Sequence, residues 1–375
     1  VGRGLPRSSE GGGMRHRFHS ICPYFAMFPE TFVEKHLAAS PHRGVVFDPF
    51  CGRGTAVFQA LLQDRAAAGS DLNPVAFCVS GAKCDPPAQS QVEARLAELR
   101  TAFREVDDSG CDKAHTEFFG LCFHHDTLPQ ILYLRSALDW RRRKDDRFIA
   151  ALCLGALHGE SHRSPNYFSN RMPRTISTKP DYSVRWWRKN GYLPPARDVF
   201  EILERMIEYR FRTRPPERTG SVAEVDARRI GEAFPELRGR VTDVITSPPY
   251  LDTTNYREDQ WLRLWFLGSR SLTTHARADD RHYAREMYWE FLQASWKGLA
   301  PLLAERARLV VRIGGRRLCK SELRDGLVRS LAAGLNRSVR LVDTGVSSKV
   351  SNTQANAFRG AKTSQLMEHD FSFAA

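Results

Sequence analysis

Residues 44–62 constrain the fold more than any other stretch. Gly44-Val45-Val46-Phe47-Asp48 is a short apolar run ending in an acid, the pattern of a strand buried on both faces. Pro49-Phe50-Cys51-Gly52-Arg53-Gly54 follows, a tight turn whose glycines let the backbone approach a ligand closely. From Thr55 the chain reads Ala56-Val57-Phe58-Gln59-Ala60-Leu61-Leu62, an apolar helix whose N-terminus favours a carboxylate or other acceptor. A second short strand then ends Ala68-Gly69-Ser70-Asp71-Leu72-Asn73-Pro74. Strand, glycine turn, helix and strand open a parallel α/β fold. An acid roughly twenty residues past the turn is where such a fold places its acceptor for ribose hydroxyls. The turn is not GxGxxG, and GxxxxGK[ST] does not occur, so a pyrophosphate ligand is not expected.

A second signal lies far downstream. Val241-Thr242-Asp243-Val244-Ile245 reads as a buried parallel strand and runs into Thr246-Ser247-Pro248-Pro249-Tyr250. Prolines fix φ and cannot donate, so their carbonyls remain acceptors. The tyrosine offers a flat face. This platform suits a planar base with an exocyclic amine, which would donate to Ser247 Oγ and to the Pro248 carbonyl while the ring lies on Tyr250. Held that way, the nitrogen lone pair turns out of conjugation and becomes a usable nucleophile.

Together these segments resemble the amino-methyltransferases of DNA, which move a methyl group from S-adenosylmethionine to an exocyclic nitrogen. The family's DPFxGxGT segment, which binds the methionine part of the cofactor, stands here as Asp48-Pro49-Phe50-Cys51-Gly52-Arg53-Gly54-Thr55. Its catalytic [DNS]PP[YF] segment stands as Ser247-Pro248-Pro249-Tyr250, and the serine form after Thr246 is similar to the cytosine-N4 branch. The family's Phe-Pro step that closes over the cofactor is matched by Tyr24 and Phe28-Pro29. An acid before the catalytic strand contacts the cofactor adenine in the family; Asp226, followed by Ala227, fits. Asp71, Leu72, Asn73 and Thr246 complete the cofactor set that the resemblance implies. It covers residues 18 to 80 and 220 to 315 well and the middle poorly. It implies a seven-stranded, mostly parallel α/β sheet of the Rossmann-like methyltransferase type. It also implies duplex DNA as substrate, base flipping with direct attack, and a bacterial restriction–modification setting with a cognate endonuclease.

Composition is in keeping with a polyanionic partner. The chain has 375 residues and a formal charge of +13, with a pI near 9.6. No apolar run is long enough to span a bilayer. The eight cysteines include no CxxC pair, which disfavours zinc and redox chemistry and points to a reducing cytoplasm; a place near the nucleoid is what the resemblance implies. Pro-Cys does not occur, so the covalent route of cytosine-C5 methylation lacks its nucleophile. Cys51 is expected to be a small packing residue.

Residues 1–17 are rich in Gly, Ser and Arg and read as a disordered basic tail. Residues 18–74 form the cofactor-binding part, 75–219 a mostly helical insertion that is a candidate target-recognition region, and 220–375 the catalytic part. Helical spacing appears over Gln91–Phe103, Leu128–Leu138, Phe148–Leu157, Pro195–Tyr209, Gln260–Leu267, Arg285–Leu303 and Leu323–Leu335, the last with Ser321 as N-cap. Arg308–Ile313 reads as a buried strand, and Val339–Asp343 with Phe371–Phe373 as a terminal antiparallel pair.

The insertion carries a polar, aromatic and basic run from Ser164 to Lys189. Asn166, Tyr167, Arg171, Arg174, Lys179, Arg185, Arg188 and Lys189 are its candidate DNA contacts. The alternative is a loop-rich lid whose tryptophans pack on neighbouring helices. Asp252, Asn255 and Tyr256 follow the catalytic segment and either grip the flipped nucleotide or form a turn. The Arg141–Lys144 run reads as a solvated helix end. His124-His125-Asp126 and His158–His162 lack metal-site spacing and are expected to cap and pack. Two rival functions stay open: adenine-N6 methylation, and a nucleic-acid-binding protein of this fold that has lost transfer.

Overall fold

The structure is a computed structural model that describes residues 15–24, 28–104, 116–172, 179–251, 260–269, 284–315, 317–349 and 367–375. Its centre is one seven-stranded sheet made of β1 (Val45–Asp48), β2 (Ala67–Asp71), β3 (Ser221–Glu224), β4 (Val241–Thr246), β5 (Leu303–Gly314), β6 (Arg340–Lys349) and β7 (Met367–Ala374). The order across the sheet is β3-β2-β1-β4-β5-β7-β6. The first five strands in that order run parallel, and β7 runs antiparallel to both neighbours. This is the expected seven-stranded, mostly parallel α/β sheet.

Strand alternation divides the core into two layers. Val46, Ile245 and Val310 face one apolar layer, while Val45, Phe47, Val244, Leu309 and Val311 face the other. The first layer is covered by α1 (Glu30–Ala38), α2 (Thr55–Leu62) and the helices between β2 and β3. Those helices are α3 (Pro74–Cys84), α4 (Gln89–Ala102), α5 (Thr116–Cys122), α6 (Leu128–Ala137), α7 (Lys144–Ala156), α8 (Pro180–Asn190) and α9 (Val199–Phe211). They are the expected helical insertion. Helix α7 is its centre: every residue from Phe148 to Ala156 is buried, as a helix apolar on all sides must be. The second layer is covered by α10 (Ile230–Ala233), α12 (Arg285–Leu299) and α13 (Lys320–Leu335), while α11 (Trp261–Phe266) lies with the first layer.

Several boundaries differ from the sequence expectation. The helix expected from Pro195 begins at Val199, because the Asp198 side chain accepts from Glu201 N at 3.0 Å and caps it. The helix expected to reach Leu303 stops at Leu299; Pro301 follows in a short 3₁₀ turn and Leu303 already starts β5. Ser321 lies inside α13, whose N-cap is Cys319, with Glu322 Oε2 accepting from Cys319 N at 2.8 Å. The run from Pro180 to Asn190 is a helix rather than a loop. The terminal antiparallel pair is present, with Leu341 opposite Phe373. Within the tail expected to end at residue 17, Arg15 and Arg17 are already placed: Arg15 pairs with Glu30 and Arg17 donates to the Tyr209 carbonyl.

Candidate active site at the sheet switch point

Chain order reverses between β1 and β4: β2 and β3 lie on one side of that gap and β5 on the other. Open α/β sheets bind ligands outside the carboxyl ends of the strands at such a point. The two sequence signals meet there. Asp48 ends β1 and Thr246 ends β4, and Thr246 Oγ1 donates to Asp48 Oδ1 at 2.6 Å. Phe50 N donates to the same oxygen at 3.1 Å. Asp48 is 1% exposed, and its Oδ2 has no hydrogen-bond partner. Burial pushes this carboxyl up to about 7, and the nearby Asp71 adds to the rise.

The turn after β1 depends on two left-handed glycines, Gly52 at φ 51° and Gly54 at φ 72°. A Cβ on Gly54 would lie 2.8 Å from Ser80 Cβ of α3, so close packing excludes a side chain as well. Asp71 closes the turn from the end of β2: its Oδ2 accepts from Gly52 N at 2.8 Å and its Oδ1 from Asn73 N at 2.9 Å. Burial raises the Asp71 carboxyl while these backbone donors oppose the rise. Leu72 beside it is 43% exposed, a large apolar side chain left standing in solvent. Thr55 is buried and takes a bond from Arg53 Nε. Pro49 offers its carbonyl to Ser70 Oγ at 3.3 Å. The Cys51 thiol is buried and pushed well above its ordinary value by desolvation and by Asp71, as suits a packing residue.

The N-terminal segment folds over this turn. The Tyr24 ring lies against Gly52, its Cε1 3.5 Å from where a Cβ would sit. Asn73 Nδ2 donates to the Tyr24 hydroxyl at 2.9 Å, and Asn73 Oδ1 caps α3 through Val75 N. Phe28 is buried against Phe32, and Pro29 caps α1. Arg53 and Lys83 also belong here and carried no sequence signal of their own. The Arg53 guanidinium is buried and binds the His19 carbonyl at 2.8 Å and Glu30 Oε1 at 3.1 Å; desolvation brings it down to about 10. Lys83 Nζ donates to the Arg53 carbonyl at 2.5 Å, and burial lowers it to about 7. The Arg53 bonds pin the N-terminal segment to the glycine turn, and the Lys83 bond ties the turn to α3.

Asp226 follows β3, two positions past Glu224. Both of its oxygens are bound by its own near neighbour, Arg228, at 2.9 and 2.6 Å. Ala227 is buried beside it. Glu224 holds Arg141, so the basic run after α6 has one member docked on the strand end.

The Ser247–Tyr250 segment differs from the open platform expected of it. Pro248 is buried, and none of the described residues donates to its carbonyl. The Pro249 carbonyl is held by Tyr288 Oη of α12 at 3.0 Å. Tyr250 is 4% exposed, so its ring faces are covered and no base stacks on them in this arrangement. Its hydroxyl is engaged as well: Ser247 Oγ donates to it at 3.4 Å, and it donates to Glu368 Oε1 of β7 at 2.8 Å. Arg312 of β5 stands behind Glu368 at 3.7 Å, forms a two-pronged pair with Asp370 at 2.6 and 2.9 Å, and lies over the Phe32 ring. Glu368, Arg312 and Asp370 were invisible to local sequence patterns.

The insertion's candidate contacts divide between core and surface. In α8, Ser183 and Trp187 face inward; Trp187 packs on Phe118 and donates to the Arg171 carbonyl at 2.5 Å. The tryptophan therefore packs on its neighbours as the lid alternative holds. Arg185, Arg188 and Lys189 are exposed on the outer face, and Arg188 pairs with Glu117. Arg171 is exposed and lies over the Tyr192 ring. Asn166 is exposed, Tyr167 is half-buried against Gly159, and Lys179 precedes α8. Arg174, Asp252, Asn255 and Tyr256 lie outside the described residues. His124, His125 and Asp126 bring their donor atoms within 4.8 Å of one another on the surface, and Asp126 N bonds His124 Nδ1, a local turn contact.

No family model matches the chain. The type II methyltransferase M.MvaI of Kocuria varians is 30% identical over 96 residues, a quarter of this chain and 21% of that protein, so the match spans about a fifth of the relative's length. The rRNA methyltransferase AviRa from Streptomyces viridochromogenes aligns over 96% of this chain and 90% of its own, at 13% identity and a TM-score of 0.36. A structure describing conversion of a disulfide bond into a thioacetal group during echinomycin biosynthesis aligns over 95% and 83%, at 12% identity and a TM-score of 0.33. Both structural likenesses are too loose to bear on function. None of the helices among the described residues is long and apolar enough to cross a membrane.

Proposed function

We propose that this chain is an S-adenosylmethionine-dependent DNA methyltransferase that modifies the exocyclic N4 amine of cytosine. The observation that carries the reading is the junction of Asp48 and Thr246. It joins the glycine turn to the Ser-Pro-Pro-Tyr segment at the sheet switch point and leaves one buried carboxylate oxygen without a donor. The partial sequence match to a type II methyltransferase supports methyl transfer, and the net charge of +13 supports a polyanionic substrate.

The residues fit the methyl donor. Asp48 Oδ2 is an unsatisfied buried acceptor, which an ammonium would complete. The turn at Gly52 and Gly54 leads into the N-terminus of α2, where a carboxylate is favoured. Asp71 keeps lone pairs for ribose hydroxyls, Leu72 offers apolar cover for a flat ring, and Asp226 lies at the next strand end. When bound, the donor supplies a methyl group already activated by a positive sulfur. The protein's task is alignment. The target base leaves the duplex, and its amine donates to Ser247 Oγ and the Pro248 carbonyl. Tyr250 fixes Ser247 from behind; stacking on Tyr250 itself would require its cover to move. The exposed basic face of α8 and Arg171 are the proposed phosphate contacts.

The test is incubation with mixed-sequence duplex and labelled donor, followed by mass spectrometry of the digested DNA. N4-methylcytosine is the expected product. N6-methyladenine alone would overturn the base assignment, C5-methylcytosine would overturn the direct attack, and no transfer to any base would overturn the reading.

A further inference from the structure

The Ser247–Tyr250–Glu368 chain ends on a carboxylate supplied by the far end of the sequence. We infer that Glu368 is the terminal proton acceptor of the transfer reaction, reached from the target amine through Ser247 and Tyr250; this rests on the methyl-transfer reading above. The geometry has three parts. Ser247 Oγ donates to Tyr250 Oη at 3.4 Å, and Tyr250 Oη donates to Glu368 Oε1 at 2.8 Å, so the order of donors runs towards the carboxylate. Ser247 is the partly exposed end of the chain and Tyr250 the buried middle. Arg312 sits beside Glu368 but commits its two shorter bonds to Asp370, so it steadies Glu368 without neutralising it outright.

The step balances. The amine lone pair makes the new N–C bond, and the electron pair of the broken C–S bond stays on sulfur. The nitrogen, now carrying one proton too many, passes it to Ser247 Oγ. The serine hydrogen moves to Tyr250 Oη and the tyrosine hydrogen to Glu368 Oε1. Ser247 and Tyr250 end as they began, and Glu368 ends as a carboxylic acid that returns its proton to solvent. The positive charge of the donor and the negative charge of Glu368 are both discharged. Burial raises the Glu368 carboxyl above its ordinary value, which makes it a better acceptor, while the bonds from Tyr250 and Arg312 hold it back. The charged and titratable groups facing it are Tyr250 from the catalytic segment, Arg312 from β5 and Asp370 from its own strand. His36 of α1 faces Arg312 and Asp370 from the other side.

Glu368→Gln keeps an oxygen for Tyr250 and removes the proton sink. In single-turnover transfer the variant is expected to be slower by about tenfold or more, and to lose the acid limb of the wild-type pH profile. Its affinity for S-adenosylmethionine, read by calorimetry, is expected to match wild type. An independent readout needs no donor. In protein labelled with ¹³C-glutamate, the Glu368 carboxyl signal, identified by its loss in Glu368→Gln, titrates, and Tyr250→Phe moves its midpoint upward by removing a donor to the carboxylate. A Glu368→Gln enzyme with wild-type rate and pH profile would overturn the inference, as would a midpoint that Tyr250→Phe leaves in place. A wild-type protein that transfers no methyl group would instead overturn the methyl-transfer reading, and this inference with it.

Discussion

Asp48→Asn is the most informative single change, because its effect on binding and its effect on folding have opposite signs. In the free protein the Asp48 carboxyl titrates at about 7. At pH 6 only about a tenth of the molecules carry the carboxylate, and at pH 7.5 about three quarters do. If the carboxylate receives the donor's ammonium, affinity for S-adenosylmethionine rises several-fold over that interval, on the order of 1 kcal/mol. Below pH 6 each unit costs a further factor of about ten. The ligand's own α-amine loses its proton near pH 8, so the rising limb ends there. Calorimetry between pH 5.5 and 7.5 reads this limb directly, together with proton release on binding. Asp48→Asn should bind more weakly at pH 7.5 and show no limb.

Folding goes the other way. A folded carboxyl held above its unfolded value of 3.8 keeps its proton when the unfolded chain has lost it. Its contribution therefore favours folding at low pH and fades as pH rises from about 4 to 7. The full swing is on the order of 4 kcal/mol. Asp48→Asn removes the swing, so the variant should melt above wild type at pH 8 without ligand. A wild-type affinity that is flat from pH 5.5 to 7.5, or a variant that keeps the limb, would refute the assignment of the ammonium to Asp48.

Three other outcomes are expected. Asp71→Ala removes the acceptor of Gly52 N and Asn73 N and should weaken donor binding by about 1–3 kcal/mol; unchanged affinity by calorimetry would take Asp71 out of the site. Neutral replacement of Arg171, Arg185 and Arg188 should lower DNA affinity and flatten its salt dependence by about 0.9 in log–log slope for each phosphate no longer neutralised, with donor affinity unchanged. An unaltered slope would move the DNA surface elsewhere. Ser247→Ala should lower the single-turnover transfer rate more than DNA affinity, since it removes an acceptor that orients the amine; an equal loss of both would make Ser247 a binding residue only.

What could be read from the sequence was local. The glycine turn, α2, β1, β2 and β4 follow from apolar runs and two glycines, and the structure places them as expected because each pattern is satisfied within a few residues. The terminal β6–β7 pair was legible only in part: 339–343 and 371–373 were expected, and the strands run over Arg340–Lys349 and Met367–Ala374. The side chains that complete the site were not legible. Glu368 meets Tyr250 across 118 residues of chain, and nothing in its neighbourhood distinguishes it from a solvated acid on an edge strand. Arg53 stands between two glycines, where a guanidinium is ordinarily free to reach solvent; it turns inward because His19 and Glu30 offer acceptors over the turn. The burial of Tyr250 likewise depends on packing from β5, β7 and α12. The α8 helix was hidden by its composition: polar and basic residues line its outer face, and of the three residues it buries, Pro180, Ser183 and Trp187, only Trp187 is a large apolar side chain.

The electrostatics of the switch point give the strongest reason to expect a cationic ligand. Two carboxylates, Asp48 and Asp71, end adjacent strands, and each is raised by burial. The charged neighbour that acts on Asp48 is the other acid, so proximity adds to the cost of ionising it. Thr246 and Phe50 satisfy one oxygen of Asp48 and leave the second bare. A structural aspartate in a core would be matched by a guanidinium, as Asp243 is matched by Arg65 at 2.6 Å and Asp146 by Arg95 at 2.7 Å elsewhere in this chain. The same fold thus pairs its buried acids where they only hold it together, and leaves Asp48 unpaired where a ligand is expected. A positive group arriving there would supply the missing donor and relieve the repulsion between the two acids at once. An ammonium set next to a sulfonium meets both demands, and the methyl group it brings would arrive at the strand end from which Ser247 projects.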